Sequence, residues 1–336
     1  MHSTLGDATT PYTNTLAVIR MDEHQIIEWL LQGDVSIQYQ VHRDLLGNDR
    51  KDLQDRIAHE GWGKQFLSKR KSNGHWGKRF YQPKWISSHY TLLDLRNLSL
   101  SPENEKVQET IKMILATCKA EDGGIQLGPS TSVHSDVCVN GMFLNYATYF
   151  QTEEQELHPV VDSILNELMP DGGFNCRTTR SGAIHSSLHT TLSVLEGLIE
   201  FQKARYTYRM NELQSARKSA EEFVLVHQLF LSDRTGEIIR KDFLNLPYPS
   251  RWKYNILRAL DYFQYSGCKW DERMNPAIQI LLKKRNTDST WKLQAKHPGK
   301  EHFEMEKTGN PSRWNTLRAM RVLKHFEIET MTNHKP

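Results

Sequence analysis

Residues 122–150, DGGIQLGPSTSVHSDVCVNGMFLNYATYF, and residues 171–201, DGGFNCRTTRSGAIHSSLHTTLSVLEGLIEF, follow one plan. Each opens on Asp-Gly-Gly and an apolar residue, passes through a polar loop, and ends in a long run with helical spacing of apolar residues. Asp-Gly-Gly is a turn signal, because Gly tolerates positive φ and Asp bonds nearby backbone. The two openings, Asp122 and Asp171, lie 49 residues apart, room for two helices and two connections. With His134 aligned on His185, Cys138 falls on His189 and Phe143 on Val194. Three more segments fit the frame: PKWISSHYTLLDLRNLSL from Pro83, YPSRWKYNILRALDYF from Tyr248 and NPSRWNTLRAMRVLKHF from Asn310. A weaker copy, VSIQYQVHRDLLG, starts at Val35. That makes six helices of one kind.

Between these copies lie more charged amphipathic stretches at 104–118, 155–168, 212–229 and 271–285, with a first one within 23–32 or 50–70. They read as outer helices, apolar on one side only. β-branched alternation is scarce. The expectation is an all-α fold, an α/α toroid of about six helical hairpins with inner and outer helix rings. It would occupy 21–328 as a single domain, with flexible tails at 1–20 and 329–336. The Trp residues of GHW at 74–76 and DSTW at 288–291 are expected to pack against a neighbouring repeat.

Composition narrows the function classes. In 336 residues, 38% hydrophobic and 25% charged, disorder throughout is not expected. A net charge of +3 argues against nucleic acid by bulk electrostatics, and the runs KRK at 69–71 and KKR at 283–285 read as solvated helix faces. No apolar run reaches the roughly 18 residues of a membrane span. The N-terminus lacks the apolar stretch of a secretory signal. Four cysteines are no disulfide framework at this length. A cytoplasmic protein is expected.

The inner-helix starts carry the candidate chemistry. Equivalent positions of successive copies would sit side by side, bringing Cys138 to His189, with Asp136 at the turn before. Thiolate, imidazole and carboxylate are three ligands for zinc with a fourth position open. The same residues also suit plainer roles: a buried thiol, an N-cap and a core histidine. His134, His185 and His89 are candidates for acid–base or ligand-orienting work. Trp85, Trp252, Tyr254 and Trp314 are candidates to line a central cavity, Tyr254 foremost because it falls opposite His189. The polar segment 296–314 offers Glu306 as an acid or base near the last inner helix.

The Asp136-Val137-Cys138 run and the His189 helix resemble the β-subunits of protein prenyltransferases. The repeat plan is also similar to squalene–hopene cyclases and the wider terpenoid-cyclase toroids, over roughly residues 35–325. The resemblance implies Zn2+ at Asp136, Cys138 and His189. It implies a prenyltransferase-like or terpene-cyclase-like reaction on an isoprenoid in an aromatic-lined cavity, and in the prenyltransferases a partner subunit. Two departures stand beside it. Where those transferases carry basic residues before the Asp-x-Cys, this chain has GPSTSVHS, leaving Arg177 and Arg180 of the next loop as the candidates for a diphosphate. The Asp-x-Asp-Asp of class II cyclases is absent. Two other readings stay open: a non-catalytic toroid binding a lipid, peptide or other apolar ligand, and a zinc hydrolase on an unrelated substrate.

Overall fold

The computed structural model describes residues 21–128, 134–177 and 181–328; both expected tails, and Arg180, lie outside the described residues. The chain is helical: α1 (Glu23–Leu31), α2 (Val35–Gln40), α3 (Lys51–Arg56), α4 (Gly61–Leu67), α5 (Ser88–Asn97), α6 (Glu105–Thr117) and α7 (Val137–Tyr149) come first. There follow α8 (Glu154–Asn166), α9 (Leu188–Lys203), α10 (Met210–Val226), α11 (Ile256–Ser266), α12 (Asn275–Lys283) and α13 (Arg313–His325). α2 runs on into a wider π turn, Val41–Leu45. Among the described residues the named strands are one short antiparallel pair, β1 (Trp291–Lys292) and β2 (Pro311–Ser312).

Burial separates two classes of helix. In α7, eleven of thirteen residues are buried, as a helix enclosed on every side requires. In α6 the buried set is Val107, Thr110, Ile111, Ile114 and Leu115, one face at i, i+3 and i+4 spacing. The enclosed helices pack in succession, α5 on α7, α7 on α9, α9 on α11 and α11 on α13. α13 then packs on α2 and its π turn, and Gln40 reaches the Asn97 carbonyl at the end of α5 at 2.9 Å. Six inner helices thus form a closed ring, with α6, α8, α10 and α12 outside it. The expected α/α toroid is the fold observed.

The repeat is visible in atomic detail. Asp122 accepts from the Gly124 and Ser135 amides at 3.0 and 2.6 Å, and Asp171 accepts from the Ser186 amide at 2.8 Å, so each clasps its own loop. The next residues, Gly123 and Gly172, sit at φ of 84° and 94°, where a side chain would be strained. The tryptophan staples also recur: fully buried Trp76 and Trp291 donate to the Phe66 and Leu281 carbonyls, each on the preceding outer-layer helix.

The tightest helix contact joins α7 to α9. A Cβ on Gly141 would stand 2.6 Å from the Ser193 carbonyl oxygen and the Val194 Cα, and one on Gly197 would stand 2.4 Å from the Gly141 carbonyl oxygen. Backbone meets backbone here, so no side chain can yield. Gly141→Ala is expected to cost about 1–3 kcal/mol through overpacking, despite the better helix propensity of Ala. Urea unfolding followed by circular dichroism will show it; an unchanged or higher midpoint would refute the close-packed crossing.

Candidate functional site at the centre of the ring

The residues singled out from the sequence gather at the inner-helix starts, as expected, but divide among different tasks. Asp136, Cys138, His185, His189, Arg177 and Trp252 line one broad cleft of about 1390 Å³. Cys138 and His189 are each the second residue of their helices, α7 and α9, so their equivalence holds. Yet among the described residues no three His, Cys, Asp or Glu side chains are grouped to hold a metal ion. His189 explains part of this. Its Nδ1 accepts from the Tyr254 amide at 2.8 Å, and its ring is boxed edge-on by Phe243 and Trp252. Burial, helped by Arg240 and Arg258, drives its pKa down to about 4, so the ring is neutral at pH 7.

The remaining candidates are placed as follows. His89 is fully buried among Phe80, Tyr81 and Tyr90, with Nδ1 3.2 Å from the Tyr146 hydroxyl, and burial takes its pKa down to about 3. Tyr254, expected to face the cavity, instead turns its hydroxyl to the Leu229 carbonyl beyond α10, at 2.5 Å. Glu306 accepts from the Arg313 amide at 2.8 Å and the Ser312 hydroxyl at 2.5 Å, so it anchors the start of α13. Trp85 donates to the Pro298 carbonyl at 2.7 Å and packs under Gly299, pinning segment 294–309 to the start of α5. His134 and the rest of His185 are exposed. Of the expected aromatics, Trp314 alone lines the central cavity.

That cavity, of about 120 Å³, is lined by charged groups interleaved with Tyr149, Tyr248, Tyr262, Tyr265 and Trp314. Six guanidiniums line it: Arg43, Arg96, Arg251, Arg258, Arg318 and Arg321. Five carboxylates hold them. Asp44 pairs with Arg43 and Arg321, Asp261 with Arg318 and Arg321, Glu200 with Arg96, Glu196 with Arg258, and Asp94 with Arg251 at 2.6 Å. Two of these acids show opposite electrostatics. Burial would raise Asp261, but Arg321 and Arg318 together outweigh it and hold the carboxyl at about 2. Asp94 has one guanidinium, and burial prevails, lifting it to about 6.

Sequence reading missed this wall. Its signal was present: Arg258 with Asp261, and Arg318 with Arg321, stand at i, i+3 within inner-helix segments, where the repeat pattern calls for apolar residues. On a helix already assigned to the inside, such charges mark a polar interior.

No protein-family model matches the chain, and no curated protein matches it. Among solved structures it is similar to a glycosyl hydrolase family 88 protein from Bacteroides vulgatus, at 12% identity and TM-score 0.48, over 87% of this chain and 89% of that one. So distant a likeness carries no argument about activity. The kinship expected with protein prenyltransferases and terpenoid cyclases is corrected. No family model supports the kinship, and the three residues expected as zinc ligands form no cluster that could hold a metal ion. The zinc-dependent transferase, cyclase and hydrolase readings fall with it. Among the described residues no helix is long and apolar enough to cross a membrane.

Because His189 Nδ1 accepts a hydrogen bond, the neutral ring carries its proton on Nε2. ¹⁵N-NMR at pH 6 is expected to show one neutral Nε2–H imidazole at this position, titrating only as the pH approaches 4. Stability follows the same sign. A histidine held neutral in the fold and free to protonate when unfolded loses stabilisation as pH falls from 6.5 toward 4, and His189→Asn will flatten that dependence. A ring that titrates near 6.5 would contradict the boxed arrangement.

Proposed function

We propose that the centre of the ring is a binding site for a small hydrophilic molecule. One observation carries this reading. Four of the residues that line the cavity each carry a buried polar side-chain atom with no hydrogen-bond partner among the described residues: Arg96 Nε, Tyr248 OH, Trp314 Nε1 and Asn145 Oδ1. Buried polar atoms are nearly always satisfied, and each orphan costs about 1–3 kcal/mol. Four around one space of 120 Å³ mark a place for a polar guest. At about 30 Å³ per water, the space equals roughly four waters, or one compact organic molecule.

The wall also argues against the apolar ligand expected from the sequence. A prenyl or acyl chain in this space would desolvate the guanidiniums and leave the four orphans unanswered. A hydroxylated, amide-like or charged molecule answers them. Asp94, with a pKa of about 6, can give or take a proton near neutrality, so the site also holds an acid–base group beside its guest.

Tyr248 gives the sharpest test, since its hydroxyl bonds nothing among the described residues. Thermal unfolding in the presence of small polyols, amides and carboxylates is expected to identify a stabilising compound, by about 2.7 kcal/mol at a hundredfold excess over Kd. Tyr248→Phe is expected to leave ligand-free stability within about 0.5 kcal/mol and to weaken that compound five- to tenfold, the worth of one hydrogen bond. If no compound stabilises the protein and Tyr248→Phe loses more than about 1 kcal/mol, the space is a hydrated part of the core and the reading fails.

A further inference from the structure

We propose that the guest at the ring's centre is a small carboxylate, docked on the Arg251 guanidinium, and that Asp94 binds a proton from solvent as it docks. This rests on the reading of the cavity as a hydrophilic site.

The hydrogen-bonding capacity of the residues around the cavity is lopsided. Of the four orphaned atoms, Arg96 Nε and Trp314 Nε1 only donate, the Tyr248 hydroxyl does either, and Asn145 Oδ1 alone only accepts. Arg318 bonds Asp261 through Nε, and Arg251 bonds Asp94 through Nη1. Each guanidinium carries five N–H donors, so both have donors beyond those bonds. A donor-rich wall with six guanidiniums against five carboxylates selects an oxyanion over a neutral molecule.

Arg251 is the docking point for three reasons. Five of the six arginines are fixed by a helix or by the π turn, whereas Arg251 belongs to the connection before α11. Its backbone sits at φ 59°, a conformation that costs a non-glycine residue energy and persists only where the surroundings impose it. Arg251, together with Tyr248, lines both the central cavity and a smaller cavity bounded by Glu301 and His302 of the 294–309 strap. The guanidinium therefore borders both spaces.

A second carboxylate on Arg251 would lie beside Asp94. Asp44 and Asp261 share Arg321 and stay ionised because each has a second arginine, Arg43 and Arg318. Asp94 has Arg251 alone, so a second carboxylate on that guanidinium raises Asp94 further and it takes a proton. The groups facing it are Arg251 and Tyr248 on the same connection, Glu301 of the strap, whose charge raises it further, and Glu196, Arg258, Arg318 and Asp261 across the cavity; Arg96 shares its helix. Once protonated, Asp94 becomes a donor to the guest.

The test uses acetate and its neutral isostere acetamide, with Kd measured by ligand-observed NMR on the full chain from pH 5.5 to 8. Acetate is expected to bind with constant Kd below pH 6 and to weaken about tenfold per unit above it. Acetamide is expected to bind at least tenfold less well at pH 6. Asp94→Asn is expected to hold one affinity throughout, about a hundredfold tighter for acetate than the unaltered chain at pH 8, and Arg251→Gln to lose acetate at every pH. Should Asp94→Asn misfold by circular dichroism, the pH profile of the unaltered chain still decides. An acetate Kd that is flat from pH 6 to 8 would overturn docking beside Asp94. Equal binding of acetamide would overturn the carboxylate and leave the hydrophilic site standing. Binding of neither probe would overturn both.

Discussion

Guanidinium–carboxylate pairing across the axis of the ring is the constraint on which the rest of this structure hangs. Six inner helices in a closed ring leave a core that must be filled. Here the filling is ionic, with Asp261 shared by Arg318 and Arg321 and Asp44 shared by Arg321 and Arg43. Asp261 with Arg318 and Arg321, Asp44 with Arg321 and Glu196 with Arg258 each join neighbouring inner helices, so these charges also set which helix stands beside which. Buried pairs of this kind seldom add net stability over a well-packed apolar core, but losing one partner leaves a costly bare charge. The ring is thus held to one arrangement by the penalty for any other.

The outer layer obeys simpler rules. Each outer helix lays one apolar stripe on the ring, secured after α6 and α8 by an Asp-Gly-Gly clasp and after α4 and α12 by a buried Trp. This division explains how one repeat plan tolerates such different residues at inner positions. The clasps and staples keep the repeat in register, and the inner faces are free to specialise. α7 and α9 use that freedom for close backbone packing at Gly141 and Gly197, whereas α11 and α13 use it for charge.

The fold was legible in the sequence because its signals are local. The two Asp-Gly-Gly segments, the Leu-type spacing after each entry and the one-sided outer stretches each speak for themselves. The expected outer helix at 104–118 is observed at Glu105–Thr117, and that at 155–168 at Glu154–Asn166. The candidate site was legible only in place, at the inner-helix starts, and not in chemistry. Cys138 and His189 do occupy equivalent turns, but what surrounds an imidazole comes from other repeats, and Phe243 and the Tyr254 amide arrive from 50 to 70 residues away. Arg258 and Arg318 carry a readable signal only because their segments are already assigned to the inside. A charge every three residues reads as a solvated stripe until ring closure decides that the stripe faces inward.

That closure has a consequence for the chain before it is finished. The seam is formed by Arg321 with Asp44, Lys324 with the Leu45 carbonyl and Arg313 with the Trp29 carbonyl, contacts spanning about 280 positions. They are the most expensive loops to close and the slowest to find. An arc of hairpins that has not yet met itself would present its inner wall to water. In most unfinished domains such a surface is greasy and sticks to its neighbours. Here it carries guanidiniums and carboxylates, groups that water hydrates well, so the half-built ring remains soluble while it waits for its ends to meet.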